Sequence, residues 1–381
     1  MNNYLCLEDF ESAAARKLPR SVYGFIKGGA EDGRSVRANR LALDAISFCP
    51  RVLNDTSSRN CAVTTLGREW ATPFGIAPMG AMGVAAFQAD LVLARAAAQA
   101  NIPFVLSGSS LVSMERVIRE NAAAWFQAYL SADESENESL IRRVESSGFE
   151  TLVITVDVPV GGNRERDIRN GYTSPLRPSG RLVADGILHP RWLAGTFLRS
   201  LLKEGMPHFE NFGSSRAPMM SLRATRVHRR DNLNWEDLKR MRDQWKHRLV
   251  LKGVLSPQDM RLAREAGVDA VIASNHGGRQ LDGAVSPLRM LSALRQEAGD
   301  TGLFYDSGIR RGTDVLKALA LGASHVFVGR PFIYAAAVGG ESGVLRAIEL
   351  LRSEVLRDMA LLGCSRLGDQ ALGSFVLTDA V

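Results

Sequence analysis

The sequence lacks the features of a disulfide-stabilised, metal-binding or membrane-spanning protein. It contains four cysteines in 381 residues, with no CxxC pair and no metal-ligand spacing, which predicts a reducing compartment and no bound metal. No apolar run approaches the length of about 18 residues that a spanning helix needs. The N-terminus has no basic start followed by an apolar core, so no signal peptide is predicted and a cytoplasmic location is expected. The cysteines are Cys6, Cys49, Cys61 and Cys364.

A GxGxxG sequence after an early strand is also absent, which argues against a dinucleotide site of the Rossmann type. With 45% hydrophobic and 23% charged residues, the composition is that of an ordinary globular protein with a large core. The net charge of +6 is unevenly distributed. Residues 164–230 hold thirteen Lys and Arg against five Asp and Glu, so the basic character belongs to one segment.

From residue 73 onward, short apolar runs that end in a polar residue alternate with amphipathic segments. Eight such units favour a closed (β/α)8 TIM barrel over an open doubly wound sheet. The predicted strands lie within residues 74–78, 103–107, 124–130, 152–157, 249–253, 270–276, 303–308 and 325–330. Helices are predicted at residues 90–100, 134–147, 235–247, 257–266 and 313–321.

We interpret residues 1–381 as a single domain with two additions to the barrel. Residues 1–70 precede the repeating units and contain helical spacing, so they are predicted to form an N-terminal cap on one end of the barrel. Residues 158–233, after the fourth strand, are much longer than an ordinary connection. Within them, residues 189–202 combine large apolar side chains with arginines. This composition suits peripheral contact with an anionic membrane, and equally a helix packed on the barrel or on an oligomer partner.

Polar residues occur where most of the predicted strands end, which is the edge that carries the active site in this fold. The stretch 270–282 is the most informative because His276 and Arg279 follow a buried strand with two glycines between them. A base beside a fixed cation can hold a carboxylate and remove a proton from the neighbouring carbon or hydroxyl. The alternative is a structural histidine and a surface arginine. The strand-end residues are Ser107, Gln127, Tyr129, Thr155, Asp157, Lys252, His276, Asp306, Gly329 and Arg330.

A phosphate site is predicted after the last two strands. Residues 306–312 and 328–331 provide glycines, helix N-termini and the guanidinium groups of Arg310 and Arg330. Lys252 would point toward a phosphorylated cofactor and stabilise negative charge on an electron-accepting ring. Alternatively, Lys252 pairs with a carboxylate such as Asp157.

These motifs together resemble the FMN-dependent L-2-hydroxy acid dehydrogenases and oxidases, a family that includes L-lactate dehydrogenase, mandelate dehydrogenase and glycolate oxidase. The resemblance covers nearly the whole chain. It depends above all on SNHGGRQLD at residues 274–282 and DSGIRRG at residues 306–312, with LPRSVYGFIKGGAED, WFQAY, TVDVP, RERD and VLKG in support. It implies a (β/α)8 barrel that binds FMN, oxidises a 2-hydroxy acid and assembles as a homotetramer.

The resemblance also implies a role for each matching residue. His276 would be the base and Asp157 its partner, Arg164, Arg279 and Tyr23 would hold the substrate carboxylate, and Tyr129 would bind the substrate hydroxyl. The remaining matches would bind the cofactor. They are Ala77, Met79, Ser107, Gln127, Thr155 and Lys252 at the flavin ring, Asp306 at the ribityl chain, and Gly308, Arg310, Gly329 and Arg330 at the phosphate.

Several positions depart from the family pattern. Met79 replaces a common threonine, and AFQAD at residues 86–90 replaces HPEGE. Ser109 and Gly161 stand where some members carry bulky side chains, which predicts a substrate larger than glycolate. Gly80 would lie beside the flavin, so oxygen access is left open.

The predicted activity is therefore oxidation of an L-2-hydroxy acid, lactate-like or mandelate-like, with electrons passed to a quinone or another acceptor. Two rival enzymes are an oxidase that uses O2 and another FMN barrel enzyme such as an isomerase. A rival of a different class is a catalytically silent barrel that binds a membrane or nucleic acid through its basic insertion. No nucleic-acid partner is expected for the enzyme.

Overall fold

The computed structural model describes residues 1, 3–173, 175–212, 216–220, 231–367 and 370–378, and within them eight parallel strands form a barrel. Consecutive strands pair around the ring. The amide of Ile76 donates to the carbonyl of Pro103 at 2.8 Å and joins the first strand to the second. The predicted (β/α)8 architecture is confirmed. The strands are Phe74–Ile76, Val105–Ser107, Trp125–Ala128, Thr151–Thr155, Arg248–Val254, Ala270–Ala273, Gly302–Asp306 and His325–Val328.

The strands are apolar along most of their length because helices cover one face and the barrel interior covers the other. All four residues of Ala270–Ala273 are buried, for example. Inside the barrel, the rings of Trp125, Phe304 and Phe327 lie 5.4 to 6.1 Å apart and fill the lumen. The barrel is therefore a packed core, and only its ends offer space for a ligand.

The helices after the strands begin at residues with recognisable capping chemistry. Asn234 accepts hydrogen bonds from the amides of Glu236 and Asp237, and prolines occupy the first helical positions at residues 257 and 287. The five helices predicted from the sequence are present within a few residues. The helices are Ala89–Ala100, Met114–Glu120, Glu134–Ser146, Trp235–Gln244, Pro257–Glu265, Pro287–Ala298, Gly312–Ala320 and Arg330–Leu362, the last kinked at Gly340.

Both ends of the barrel are covered by residues that precede the first strand. A hairpin of Val63–Thr65 and Arg68–Trp70 lies at the amino ends of the strands, where Thr65 contacts His325. The helix Arg34–Asp44 lies at the opposite end, where the amides of Arg34 and Ser35 donate to Asp282. Helices Leu7–Lys17 and Arg20–Lys27 complete the segment, and Ile46–Phe48 pairs with Val376–Thr378. The N-terminal segment thus contacts the loop that follows the sixth strand.

The long connection after the fourth strand contains regular structure in its described part. It forms helices Glu165–Arg169 and Gly180–Ile187 and then a continuous helical segment made of Pro190–Trp192, the π-helical Leu193–Leu198 and Arg199–Glu204. Strands His208–Phe209 and Ala217–Pro218 pair antiparallel. The stretch 189–202, in which the sequence combines apolar side chains with arginines, is therefore helical from residue 190 onward. Residues 174, 213–215 and 221–230 of the predicted insertion lie outside the described residues.

Candidate functional site

A cavity of about 560 Å³ opens at the carboxyl ends of the barrel strands. Its wall includes residues from the N-terminal segment, from most of the strand ends and from the long insertion. Fourteen of the residues predicted from the sequence line it: Ala77, Met79, Gln127, Tyr129, Thr155, Arg164, Lys252, His276, Arg279, Asp306, Gly308, Arg310, Gly329 and Arg330.

His276 lies just beyond the sixth strand in a left-handed backbone conformation, with φ of 58°. This conformation is unfavourable for a non-glycine residue and requires support from its surroundings. Ser274 supplies part of that support, because its hydroxyl accepts from the His276 amide at 3.0 Å and from Lys252 Nζ at 2.8 Å. This hydrogen bond helps to hold the backbone in the conformation that places the imidazole at the cavity wall.

Asp157 holds the imidazole from behind. Its Oδ1 lies 3.0 Å from His276 Nδ1, and both side chains are largely buried. The bulged fifth strand makes this approach possible, since Gly253 has φ of 111° and a Cβ there would lie 2.7 Å from Asp157 Cβ. The sequence therefore requires glycine at this position for the histidine and the aspartate to meet.

The protonation states of this pair suit a general base. Burial lowers the pKa of His276 below the ordinary value of 6.5, against the opposing charge of Asp157. Burial alone would raise the pKa of Asp157, but His276 and Lys252 hold that pKa below its usual value. At neutral pH the imidazole is neutral and the carboxylate ionised. Because Asp157 accepts at Nδ1, the proton resides there and Nε2 is the basic nitrogen.

Two guanidinium groups form a cationic wall beside the histidine. Arg164 donates through Nε to the carbonyl of Arg279 at 3.2 Å and through Nη2 to the side chain of Gln280. Arg279 donates to the carbonyls of Phe25 and Gly28 and lies 5.0 Å from the Phe25 ring. These contacts fix both side chains before any ligand arrives.

The cationic wall is short of negative charge. Burial, followed by repulsion from Arg164 and Arg330, lowers the pKa of Arg279 to about 9. The nearest carboxylate, Asp167, lies 3.9 Å away and has a pKa raised by its own burial. Arg279 remains charged at neutral pH, so a ligand carboxylate would relieve the repulsion. The site therefore favours an anion.

Lys252, near the end of the fifth strand, is a buried cation that lines the same cavity. Its Nζ lies 3.0 Å from Asp306 Oδ2, so the lysine pairs with Asp306 in preference to the Asp157 pairing that the sequence left open. Burial alone would lower the pKa of Lys252, but the charges of Asp306 and Asp157 outweigh this effect and hold the pKa above its ordinary value. The ammonium group therefore persists at neutral pH. The neighbouring Thr155 hydroxyl is buried without a hydrogen-bond partner among the described residues. Such an unpaired group is expected to face a ligand.

The predicted phosphate region differs from the sequence-based expectation in one respect. The amides of Arg310 and Arg311 donate to Asp314, and the amide of Gly312 donates to Glu354. These carboxylates satisfy the N-terminus of the helix after the seventh strand, so its amides are not available to an anion. The predicted groups that remain available to a phosphate are Gly308, the turn at Gly329 and the side chains of Arg310 and Arg330.

Those two arginines form a second cationic centre. Burial, followed by repulsion from Arg310, lowers the pKa of Arg330 to about 10. Arg330 also donates to the carbonyls of Ile26, Gly28 and Gly277, which ties the N-terminal segment to the histidine loop. A phosphate group would stabilise this pair of like charges.

Three predicted residues are not part of the cavity wall. Asp157 lies behind His276, and the Ser107 hydroxyl donates to the Gln127 side chain at 3.0 Å. The structure does not bring Tyr23 to the cavity, because its hydroxyl bonds to Glu11 and Lys27. The neighbouring helical residues Phe25 and Ile26 line the cavity instead. A helix of eight residues presents only some of its side chains to one side, and the motif alone did not show which.

Four further residues were missed by the sequence analysis. Ser274 bridges Lys252 and His276, and Gln280 binds Arg164. Both lie within the stretch 270–282, so their position was the available signal. Asp167 and Tyr172 belong to the insertion and face the cationic wall. Asp167 ends the RERD motif, three residues after Arg164, so the motif was a signal for it, whereas nothing in the spacing of Tyr172 indicated its position.

A comparison with protein families shows the family to which the chain belongs. The family model described as FMN-dependent dehydrogenase matches residues 14–374. The chain belongs to this family. Its enzyme class and its FMN cofactor, both predicted from the sequence, are confirmed.

Other members of the FMN-dependent dehydrogenase family match over nearly their full lengths. The (S)-mandelate dehydrogenase of Pseudomonas putida is 40% identical over 95% of this chain and 91% of its own. The L-lactate dehydrogenase of Caulobacter sp. (strain K31) is 38% identical over 94% of this chain and 95% of its own. The crystal structure of the monotopic membrane protein (S)-mandelate dehydrogenase has a TM-score of 0.93 and 38% identity, and covers 99% of this chain and 100% of its own.

The cavity fits FMN by the chemistry of its wall. It offers a buried lysine, an unpaired threonine hydroxyl and a separate pair of arginines, which suit a ring that accepts electrons and a phosphate. Gly80 also lines the cavity, and a Cβ there would lie 2.9 Å from Ser109 Cβ, so this turn packs closely against Ser109 only with glycine.

Proposed function

We propose that the protein oxidises an L-2-hydroxy acid to the corresponding 2-oxo acid. The observation that carries the proposal is the meeting, in one cavity, of a neutral histidine paired with aspartate and two arginines, of which Arg279 has its nearest carboxylate, Asp167, only at 3.9 Å. The names of the relatives, mandelate dehydrogenase and lactate dehydrogenase, support this substrate class. Bound FMN supplies the acceptor for the two electrons that the substrate loses.

In this proposal the chain's own residues bind the substrate and move a proton. Arg164 and Arg279 bind the carboxylate and fix the position of the second carbon. His276 accepts a proton at Nε2, and Asp157 stabilises the imidazolium that results. Tyr129, which lines the same cavity, binds the substrate hydroxyl.

The cofactor contacts are proposed on the same footing. Lys252 stabilises negative charge on the flavin ring, and Asp306 binds the ribityl chain. Gly308, Gly329 and the two arginines of the second cationic centre bind the phosphate. The remaining ring contacts are assigned to the backbone of Ala77 and Met79 and to the side chains of Ser107, Gln127 and Thr155. A homotetramer and a quinone as electron acceptor remain predictions.

We infer that the substrate carries a large apolar side chain. The insertion lines the cavity with Leu176, Phe209, Phe212 and Met219, and the cavity also includes Val158. Gly161 adds no bulk, since a Cβ there would meet nothing within 4 Å. An apolar pocket of this kind gains affinity from each buried carbon of the substrate.

Steady-state kcat/KM with an artificial dye acceptor tests this inference. We expect a rise of about tenfold or more from glycolate to lactate, and a further rise to (S)-mandelate. Gly161→Phe should reduce the preference for mandelate by filling the space, whereas Gly180→Phe, at another open glycine, serves as the matched control. A preference for glycolate would contradict the inferred pocket.

We further propose that the insertion contacts a membrane surface. Trp192 Nε1 donates to the carbonyl of Val84 and anchors the helical segment to the barrel rim. On its outer side, Leu198 is 42% and Leu202 84% exposed, with exposed Arg199 and Lys203 beside them. Apolar side chains flanked by cations suit the interface of an anionic bilayer. Among the described residues, no helix has the length and apolar character needed to cross a membrane.

Sedimentation with phosphatidylglycerol vesicles tests the membrane proposal. We expect the holoenzyme to bind the vesicles, and Leu198→Ser/Leu202→Ser to reduce binding by about tenfold or more. Leu361→Ser, which changes a leucine that is 69% exposed on another helix, should leave binding unchanged. Equal sedimentation of all three proteins would contradict this role for the insertion.

A further inference from the structure

Tyr172 is a phenol in the wall of the substrate cavity whose hydroxyl has no assigned partner. Its side chain is 8% exposed, and the hydroxyl oxygen is buried with no hydrogen bond to the described residues. Buried hydroxyl groups in folded proteins are nearly always paired. An unpaired one in a cavity wall is therefore available to a ligand.

A backbone turn and a ring stack fix the position of the Tyr172 ring. Gly171, with φ of 84°, ends the helix Glu165–Arg169 and turns the chain so that the Tyr172 amide donates to the carbonyl of Asp167 at 2.9 Å. The ring then stacks on Phe25, with centroids 4.2 Å apart and planes at 17°. Phe25 in turn contacts the Arg279 guanidinium. The Phe25 ring thus lies between Tyr172 and the Arg279 guanidinium of the cationic wall, and contacts both.

The electrostatic surroundings show which part of the cavity the hydroxyl belongs to. Burial and the charge of Asp167 raise the pKa of Tyr172 well above its ordinary value of 10, while Arg279 and Arg164 act in the opposite direction. The phenol keeps its proton at neutral pH, so it can donate a hydrogen bond. The charges that act on it are those of Asp167 and of the two arginines proposed to bind the carboxylate, so the hydroxyl belongs to the cationic wall.

We propose that Tyr172 donates its phenolic hydrogen to the carboxylate of the bound substrate, as a third group beside Arg164 and Arg279. The proposal rests on the function proposed above. A carboxylate accepts several hydrogen bonds, whereas Arg279 already commits Nη1 to two backbone carbonyls and Arg164 commits Nε and Nη2. The phenol supplies a further donor to the ligand, from a residue of the insertion.

The test compares a charged and a neutral ligand on the FMN-loaded enzyme. Phenylacetate carries the carboxylate and no hydroxyl to oxidise, and phenylacetamide is its neutral counterpart. Binding is followed by the change in flavin absorbance. We expect Tyr172→Phe to raise the dissociation constant of phenylacetate by about 10- to 100-fold, the range for one hydrogen bond to an ionised group, and that of phenylacetamide by less than about threefold.

A control and a second measurement keep the proposal separate from a structural role. Tyr4→Phe removes a phenol that stacks on Phe10 and is not part of the cavity wall, so it should change neither constant. Because the Tyr172 hydroxyl has no hydrogen-bond partner among the described residues, its removal should not lower the Tm of the holoenzyme. A fall in Tm with normal phenylacetate binding would assign the hydroxyl to folding and overturn the proposal.

The remaining outcomes distinguish this proposal from the function on which it rests. Equal weakening of both ligands would assign Tyr172 to packing, and unchanged phenylacetate binding would remove the hydrogen bond. In either case, reduction of the wild-type flavin by a 2-hydroxy acid would leave the proposed function intact. If the wild type neither binds phenylacetate nor is reduced by any 2-hydroxy acid, the proposed function itself fails.

Discussion

Replacing His276 with alanine is expected to lower the rate of flavin reduction by about 100- to 10,000-fold while FMN stays bound. The range is that of a single general base. The neutral imidazole, oriented by Asp157, is the group in the cavity suited to accept a proton at neutral pH, and the flavin contacts proposed above do not depend on it. Rapid mixing with (S)-mandelate without oxygen measures the rate, and the absorbance of the purified variant measures FMN content.

The matched control is His247→Gln, which changes a histidine whose side chain is 46% exposed and lies outside the cavity wall. Its reduction rate should equal that of the wild type. Burial lowers the pKa of His276, so wild-type kcat/KM should be constant between pH 6.5 and the Arg279 pKa of about 9, and should fall at low pH as the base becomes protonated through its lowered pKa. Reduction of His276→Ala at the wild-type rate would remove this residue from its proposed role.

Arg279→Met is expected to lower kcat/KM for a 2-hydroxy acid by about 100- to 1,000-fold. The variant removes a buried cation that we propose binds the carboxylate, and such losses leave the opposite charge without a partner. Most of the effect should fall on apparent affinity, with a smaller effect on the limiting rate of flavin reduction. Stopped-flow traces over a range of substrate concentrations separate the two quantities.

Two control variants separate the effect of the charge at residue 279 from the effect of its geometry, and from the loss of any arginine. Arg279→Lys keeps the charge but loses the planar pair of donors, so its kcat/KM should lie between those of the wild type and the methionine variant. Arg142→Met changes an arginine whose side chain is 69% exposed on a surface helix and should have no effect. Wild-type affinity in Arg279→Met with full FMN content would contradict the proposed carboxylate site.

The barrel could be predicted from the sequence because its strands are buried on both faces. Such strands appear as short apolar runs, and eight of them alternated with amphipathic segments at regular spacing. The glycine at residue 253 shows the limit of this reasoning. Glycine at this bulge leaves space for the Asp157 side chain. The bulge itself depends on how two distant segments pair, which the local sequence does not show.

The site residues at the strand ends could be predicted from the sequence, whereas a site residue of the insertion such as Tyr172 could not. His276, Arg279 and Lys252 follow strands that periodicity located, so their meeting at one edge followed from the fold. Tyr172 has no such reference, because its position depends on a turn at Gly171 and a stack on Phe25. The choice between Tyr23 and Phe25 required the rotation of a helix that only packing determines.

The spectrum of the purified protein during titration with (S)-mandelate in the absence of oxygen tests the proposed oxidation most directly. We predict an oxidised FMN spectrum that is bleached by stoichiometric substrate, with one equivalent of 2-oxo acid formed and no bleaching by the (R)-enantiomer. An FMN spectrum that stays unchanged through a panel of 2-hydroxy acids, from glycolate to mandelate, would contradict the proposed oxidation.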